Sequence, residues 1–349
     1  VYKRQLQGML HETQHLHALA YSRLVTTAEP HLTGRDSGHW LDILSADHDN
    51  IRAALQWAVN TEDLDLAYQM ASSLWRFFHM RGLLSSARGL LNDLLARQGA
   101  SPAARAKALE AAGGVAYWSG NMDEAYGYYE EALELVRRIG DPREVANGLY
   151  NLGFARNYAG AADQALELFE EAHEIYAELG DRPGMAAATW GLGDAWTASG
   201  ELTRARECFE HSIAEFEQLD DPFSLGWALY TQGEILVRLG EYENARHQLE
   251  RGLALLDSTD VSAIVMFLAA FASLELAGGN RERGIRLAGA MVGLRDETGT
   301  DLVRVGISTA TDVTPEALGL LEGVRTGIYE AGRGMSAEAA VAFALHLDD

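Results

Sequence analysis

Apolar positions along this chain fall into two alternating helical stripes, and the alternation repeats every forty residues. One stripe carries Leu149, Leu152, Phe154 and Ala155. The next carries Leu166, Phe169, Ala172 and Tyr176, near i, i+3, i+6 and i+10, the spacing of one helix face. Small residues punctuate the pattern: Gly120, Gly160, Gly200 and Gly240 are forty residues apart, as are Gly113, Gly153, Gly193 and Gly233, and Ala125, Ala165, Ala205 and Ala245. The segment ends repeat too, as Gly140-Asp141-Pro142, Gly180-Asp181-Arg182-Pro183 and Asp220-Asp221-Pro222. Columns that hold one period define a repeat.

Each unit predicts two helices. The first runs for about fourteen residues to a glycine suited to a left-handed helix end. The second follows at once, with Asn121 and Glu124 as an expected N-cap and capping pair in one unit. Pro142 and Pro222 stand where the next helix begins, in a first turn that tolerates a missing N–H. Gly153 and Ala165 mark close crossings within a hairpin. Gly82 with Ala87 lies 38 residues before Gly120 with Ala125, and Gly279 lies 39 after Gly240. These extend the array by a divergent hairpin at each end, over about 64–97 and 263–298. No β-branched alternation competes. The expected fold is all-α, a right-handed superhelical solenoid of about six hairpins whose stacking buries a core no single hairpin could bury. The organisation read from the pattern is a helical lead-in over 1–60, the array over 61–298, and a linker with C-terminal capping helices over 299–349.

Composition narrows the partners. Lys and Arg total 28 against 51 Asp and Glu, a net charge of −23, which repels phosphate backbones and anionic membranes, so neither is expected as a partner. No apolar run reaches the ~18 residues of a membrane span, and no signal peptide opens the chain. The single cysteine, Cys208, excludes an intrachain disulfide framework and suits a reducing cytoplasm. The chain opens at Val1, and 1–5 fit no downstream pattern; it reads as a fragment of a longer reading frame with a few extraneous leading residues.

Asn151-Leu152-Gly153 with Ala155, Gly160, Ala165, Phe169 and Ala172 resembles the tetratricopeptide consensus, at forty residues rather than ~34. The longer unit resembles the helical arm of bacterial MalT-like and LuxR-type regulators, which follows an NTP-binding switch domain of the STAND class. Trp40 and the stretch Asp47-His48-Asp49-Asn50-Ile51-Arg52-Ala53-Ala54-Leu55-Gln56-Trp57-Ala58 are similar to the lead-in of those arms. Met335-Ser336-Ala337-Glu338-Ala339-Ala340-Val341 resembles their terminal helix. Similar arms also follow class III nucleotide cyclase domains. The P-loop GxxxxGK[ST] and a basic helix-turn-helix are both missing from these residues, so the resemblance implies a sensing arm whose switch or output domain lies outside this chain, with no catalytic residue and no cofactor here.

Three chemical motifs compete with that reading. His11-Glu12-Thr13-Gln14-His15 is a formal HExxH, able to hold zinc on one helix face with Glu12 as general base, but it lacks a third ligand and a sheet-walled cleft. Cys208 beside Phe209 in an apolar stripe reads as a small core residue, and His211 three residues on does not make it a nucleophile. The acidic runs around Asp123, Glu130 and Glu170 read as a solvated convex face and lack calcium-loop spacing.

The first helices are more informative, because their inward side lines the concave groove of such arrays. Tyr150, Phe154 and Tyr158 stand at i, i+4 and i+8, and Tyr150, Trp190 and Tyr230 occupy one column. Tyr117, Trp118 and Trp227 lie nearby, with Asn147, Asn157, Asp194, Glu234 and Arg238 interspersed. Aromatics with scattered polar groups suit a peptide, a small ligand or a partner helix; the competing reading places several of them in the core between repeats. The expectation is a cytoplasmic sensor or interaction arm that catalyses nothing. A free-standing scaffold is the alternative, and a zinc hydrolase the remote one.

Overall fold

The computed structural model describes residues 2–33, 36–255, 260–298 and 324–346. Every regular element among them is helical. Helices α1 (Tyr2–Ala28), α2 (Ser37–Ala46) and α3 (His48–Asn60) lead in, with a short 3-10 turn, Glu29–His31, after α1. Six hairpins follow: α4 (Leu64–Met80) with α5 (Leu84–Leu95), α6 (Pro102–Trp118) with α7 (Met122–Ile139), and α8 (Pro142–Tyr158) with α9 (Ala162–Leu179). Next come α10 (Arg182–Ala198) with α11 (Leu202–Leu219), α12 (Pro222–Arg238) with α13 (Tyr242–Leu255), and α14 (Val261–Ala277) with α15 (Arg281–Thr298). Helices α16 (Val324–Arg333) and α17 (Ala337–Ala344) close the described chain. This is the expected all-α solenoid. The stretch 299–315, expected as a linker or lid, lies outside the described residues, as does Val1.

The punctuation works as its chemistry requires. The turns inside the hairpins place Gly120, Gly160, Gly200 and Gly240 at φ between 73° and 82°, where a side chain would be strained. Between hairpins, Gly140, Gly180 and Asp220 take left-handed conformations, and the following aspartate caps the next helix. Asp141 accepts from Arg143 N at 3.0 Å, Asp181 from Gly184 N at 3.2 Å and Asp221 from Ser224 N at 3.0 Å. The expected Asn121–Glu124 capping pair does not form: Asn121 makes no side-chain cap bond, and Glu124 instead pairs with Arg88 of the preceding hairpin at 2.6 Å. Similar pairs, Arg137–Glu171 and Arg251–Glu217, tie neighbouring repeats across the acidic exterior, and Arg105–Glu131 joins the two helices of one hairpin, each worth little alone.

Small residues set the helix spacing. A Cβ on Gly153 would lie 2.7 Å from the Phe169 ring, one on Gly193 2.7 Å from Phe209, and one on Gly113 2.5 Å from Tyr129. The large ring of each second helix thus fills a notch in the first. At the C-terminal cap even backbones touch: a Cβ on Gly332 would meet Arg286 O at 2.0 Å. Gly332→Val is therefore expected to detach α16 and α17 from α15, seen as rapid proteolysis within 324–346 while the repeats stay resistant; unchanged resistance of 324–346 would refute this docking.

The superhelix completes enough of a turn for its ends to meet. Ser262 Oγ on α14 donates to His79 O on α4 at 3.0 Å across 183 residues. The Trp118 ring on α6 sits 5.4 Å from Trp227 on α12, and the Arg76 guanidinium on α4 lies 5.7 Å from the Phe223 ring on α12. The inward faces of α4, α6, α8, α10 and α12 consequently face one another across a narrow concave side, the lumen of the superhelix.

Candidate ligand-binding lumen

The lumen wall is built from the same turn of successive first helices. Tyr150, Trp190 and Tyr230 share one column, with Glu110 forty residues earlier. Phe154, Asp194 and Glu234 share the next, with Gly114 before them and, by the 38-residue offset of the first hairpin, Arg76. Aromatic rings interlock around Phe154: Tyr150 at 5.0 Å, Trp190 at 5.3 Å and Tyr158 at 6.2 Å. Tyr117 stands 5.5 Å from Tyr158.

The structure divides the residues picked from sequence. Tyr117, Trp118, Tyr150, Tyr158 and Trp190 are half-buried and keep part of their ring surface exposed. Phe154, Trp227 and Tyr230 are buried; Phe154 backs the wall, while Trp227 and Tyr230 pack on Phe267 of α14. Asn147 does not belong to the wall's free polar groups, because it accepts from the Tyr176 hydroxyl at 2.7 Å and ties α8 to α9. Asn157 and Asp194 form one polar unit: Asn157 Nδ2 donates to Asp194 Oδ2 at 2.9 Å, and the Tyr158 hydroxyl is also hydrogen-bonded to Asp194. Glu234 is on the neighbouring α12, within reach of the Asp194 charge.

The electrostatics of this wall are unusual. Asp194 is 7% exposed and burial pushes its carboxyl up to about 6, against the hydrogen bonds from Tyr158 and Asn157 and the charge of Arg238. Glu234, also 7% exposed, is held well above the usual carboxylate range by burial, outweighing Arg238. Burial likewise raises the Tyr117, Tyr150 and Tyr158 hydroxyls and lifts Glu110 to about 8. Elsewhere the fold treats a buried acid differently. Glu275 on α14 is 1% exposed, yet receives Arg246 at 2.8 Å, Arg283 at 2.9 Å and Asn280 at 2.8 Å. Those bonds and charges overcome burial and hold it below its ordinary value.

Sequence reading missed the far wall. Trp75, Arg76 and His79 of α4 and Phe223 of α12 face these residues: Arg76 lies over Trp75 at 4.7 Å, and His79, pushed down to about 3 by burial and then by Arg76, rests 4.0 Å from the Trp118 ring. Carrying the repeat columns back through the 38-residue offset would have found Arg76. The competing motifs take structural places. His11 and His15 both pack on the Trp57 indole, at 5.5 and 5.3 Å, and among the described residues no third His, Cys, Asp or Glu joins them. Cys208 packs beside Gly193, and burial raises its thiol.

The tetratricopeptide-repeat family model matches residues 104–178, 144–214 and 184–258, and the fold is a solenoid of tetratricopeptide-type hairpins. No curated protein matches the sequence. Among solved structures, a Rap protein complexed with competence and sporulation factor shares 13% identity over 85% of this chain and 80% of its own, with a TM-score of 0.57. NprR in complex with its cognate peptide NprX shares 14% over 78% of this chain and 83% of its own, with a TM-score of 0.55. At these identities the likeness is one of fold. Among the described residues no helix is long and apolar enough to cross a membrane.

Proposed function

We propose that this chain is a non-enzymatic sensing arm that binds a peptide or small ligand in the lumen and passes that occupancy to an attached switch domain of a larger cytoplasmic signalling or transcription-regulatory protein. The observation that carries the reading is the lumen wall itself. Half-buried aromatic rings from α6, α8 and α10 accompany two buried carboxylates that, among the described residues, feel Arg238 only through its field, an arrangement that costs stability and gains meaning from a ligand. Because α4 and α6 meet α14 and α12 across one superhelical turn, a ligand spanning the lumen would favour one pitch over another, and that difference is what a switch domain could sense.

The lead-in supports the regulator resemblance. Asp47 of the DxxN stretch accepts from Tyr21 OH and from Asn50 Nδ2, each at 2.9 Å, locking α3 onto α1. The outer face of α1 exposes Met9, Leu10 and Leu16, apolar surface that suits contact with a further domain and favours the attached arm over a free-standing scaffold. The NprR neighbour, solved with its cognate peptide, makes a peptide a reasonable ligand to test first. Heptapeptides selected from a random pool on the immobilised chain are expected to lose at least about tenfold in affinity on Trp190→Ala or Tyr150→Ala, with far-UV circular dichroism unchanged. Selected peptides that bind both folded variants as well as the native chain would place the site elsewhere.

A further inference from the structure

We propose that the α10–α12 wall of the lumen receives a cationic side chain, a lysine or arginine carried by a short peptide, held by Asp194 and Glu234 against the surrounding rings. This rests on the peptide-binding reading above and adds the chemistry of the ligand.

The wall holds an excess of acceptors. Glu234 is 7% exposed, and Arg238 reaches its carboxylate only as a field. Asn157, 4% exposed, spends its Nδ2 on Asp194 and leaves Oδ1 buried with no partner. Asp194 accepts from Asn157 at 2.9 Å, and the Tyr158 hydroxyl beside it also lowers its carboxyl. Two carboxylates and an amide oxygen therefore face a shortage of N–H groups, which an ammonium or guanidinium with several donors would relieve.

The charges already present do not serve. Arg238 acts on both carboxylates only through its field, from an exposed position at the end of α12. Arg76 is on the opposite wall with its guanidinium over Trp75 and Phe223. The Glu275 site shows what compensation looks like in this fold: two arginines and an asparagine on one carboxylate.

The surroundings select among cations. Tyr158, beside Asp194, and Trp190, one turn before it on α10, offer ring surface backed by Phe154, which attracts a desolvated organic cation. Trp227, two turns before Glu234 on the same face of α12, has a buried indole N–H without a partner, a donor suited to a peptide carbonyl. A bare metal ion would use neither feature.

The test compares two fluorescent heptapeptide pools, one with arginine fixed at the central position and one with uncharged, nearly isosteric citrulline there. The native chain is expected to retain the arginine pool at least tenfold better. Asp194→Asn with Glu234→Gln should abolish that preference. Glu170→Gln with Glu174→Gln, which removes two exposed charges from α9, should preserve it. Equal retention of both pools by the native chain overturns the cation and leaves peptide binding standing. A preference that survives in the Asp194/Glu234 variant shows general attraction to a chain of net charge −23 and also overturns the proposal. Retention of neither pool overturns the peptide reading and this inference with it.

Discussion

Phe169→Ala is expected to lower the stability of the array by about 3–5 kcal/mol, the usual cost of emptying a fully buried aromatic site. Phe169 has 0% exposure on α9 and is clasped from two sides. A Cβ on Gly153 of its own hairpin would sit 2.7 Å from its ring, and one on Gly191 of the next hairpin 2.5 Å away. Those glycines approach the ring with backbone, so no side chain can swing in to fill the void. The loss falls on the interface between repeats, where a solenoid stores much of its stability. Phe169 also backs Phe154 at 5.0 Å and Tyr150 at 5.9 Å, so the lumen wall should loosen with it. Urea unfolding of Phe169→Ala and the milder Phe169→Leu measures this. A Phe169→Ala midpoint equal to that of the native chain would contradict the packing described.

Asp194→Asn is expected to stabilise the protein at neutral and alkaline pH, by about 1–3 kcal/mol from a shift of roughly two pKa units at 1.36 kcal/mol each. The carboxyl is raised from 3.8 in the unfolded chain to about 6 in the folded one, so the folded state holds the proton more tightly. Its favourable contribution is therefore complete below about pH 4 and is lost as pH rises through about 6. Asparagine mimics the protonated form and its amide can also donate toward the unpartnered Asn157 Oδ1. The difference in melting temperature between variant and native chain should be near zero at pH 4 and largest above pH 7. Glu234→Gln should change in the same direction, because burial raises Glu234 as well. Comparing variant with native at each pH cancels Glu275, Glu215 and Glu241, whose lowered values act in the opposite sense. A variant that is less stable at pH 8 would show that the carboxylate is compensated in the folded chain, and would remove the main support for a cation-binding wall.

The two results bear on one question. A packing residue such as Phe169 is retained because the fold needs it, whereas a residue whose neutralisation strengthens the fold is retained for something else.

The repeat was legible in the chain alone, because its determinants are local and recur. Gly160 at a left-handed turn, Asp141 capping the helix that Pro142 opens, and Phe169 against Gly153 each depend on residues within one hairpin, and a forty-residue period displays the same solution several times. The aromatic columns were visible for the same reason. The fate of individual members was not: Asn147 is taken by Tyr176, and Trp227 and Tyr230 by Phe267, choices set by side-chain packing between helices. The Asn121–Glu124 cap likewise yielded to Arg88 of the neighbouring hairpin. Tertiary structure alone decided that the concave face closes into a lumen, because closure sums a small rotation at every repeat interface and no single interface records the total. It also decided that Arg76 and His79 of the divergent first hairpin face Phe223 and Trp118. And it decided that Asp194 and Glu234 are buried where Arg238 reaches them only through its field: their acidity belongs to the sequence, whereas their desolvation exists only once five helices have gathered around them.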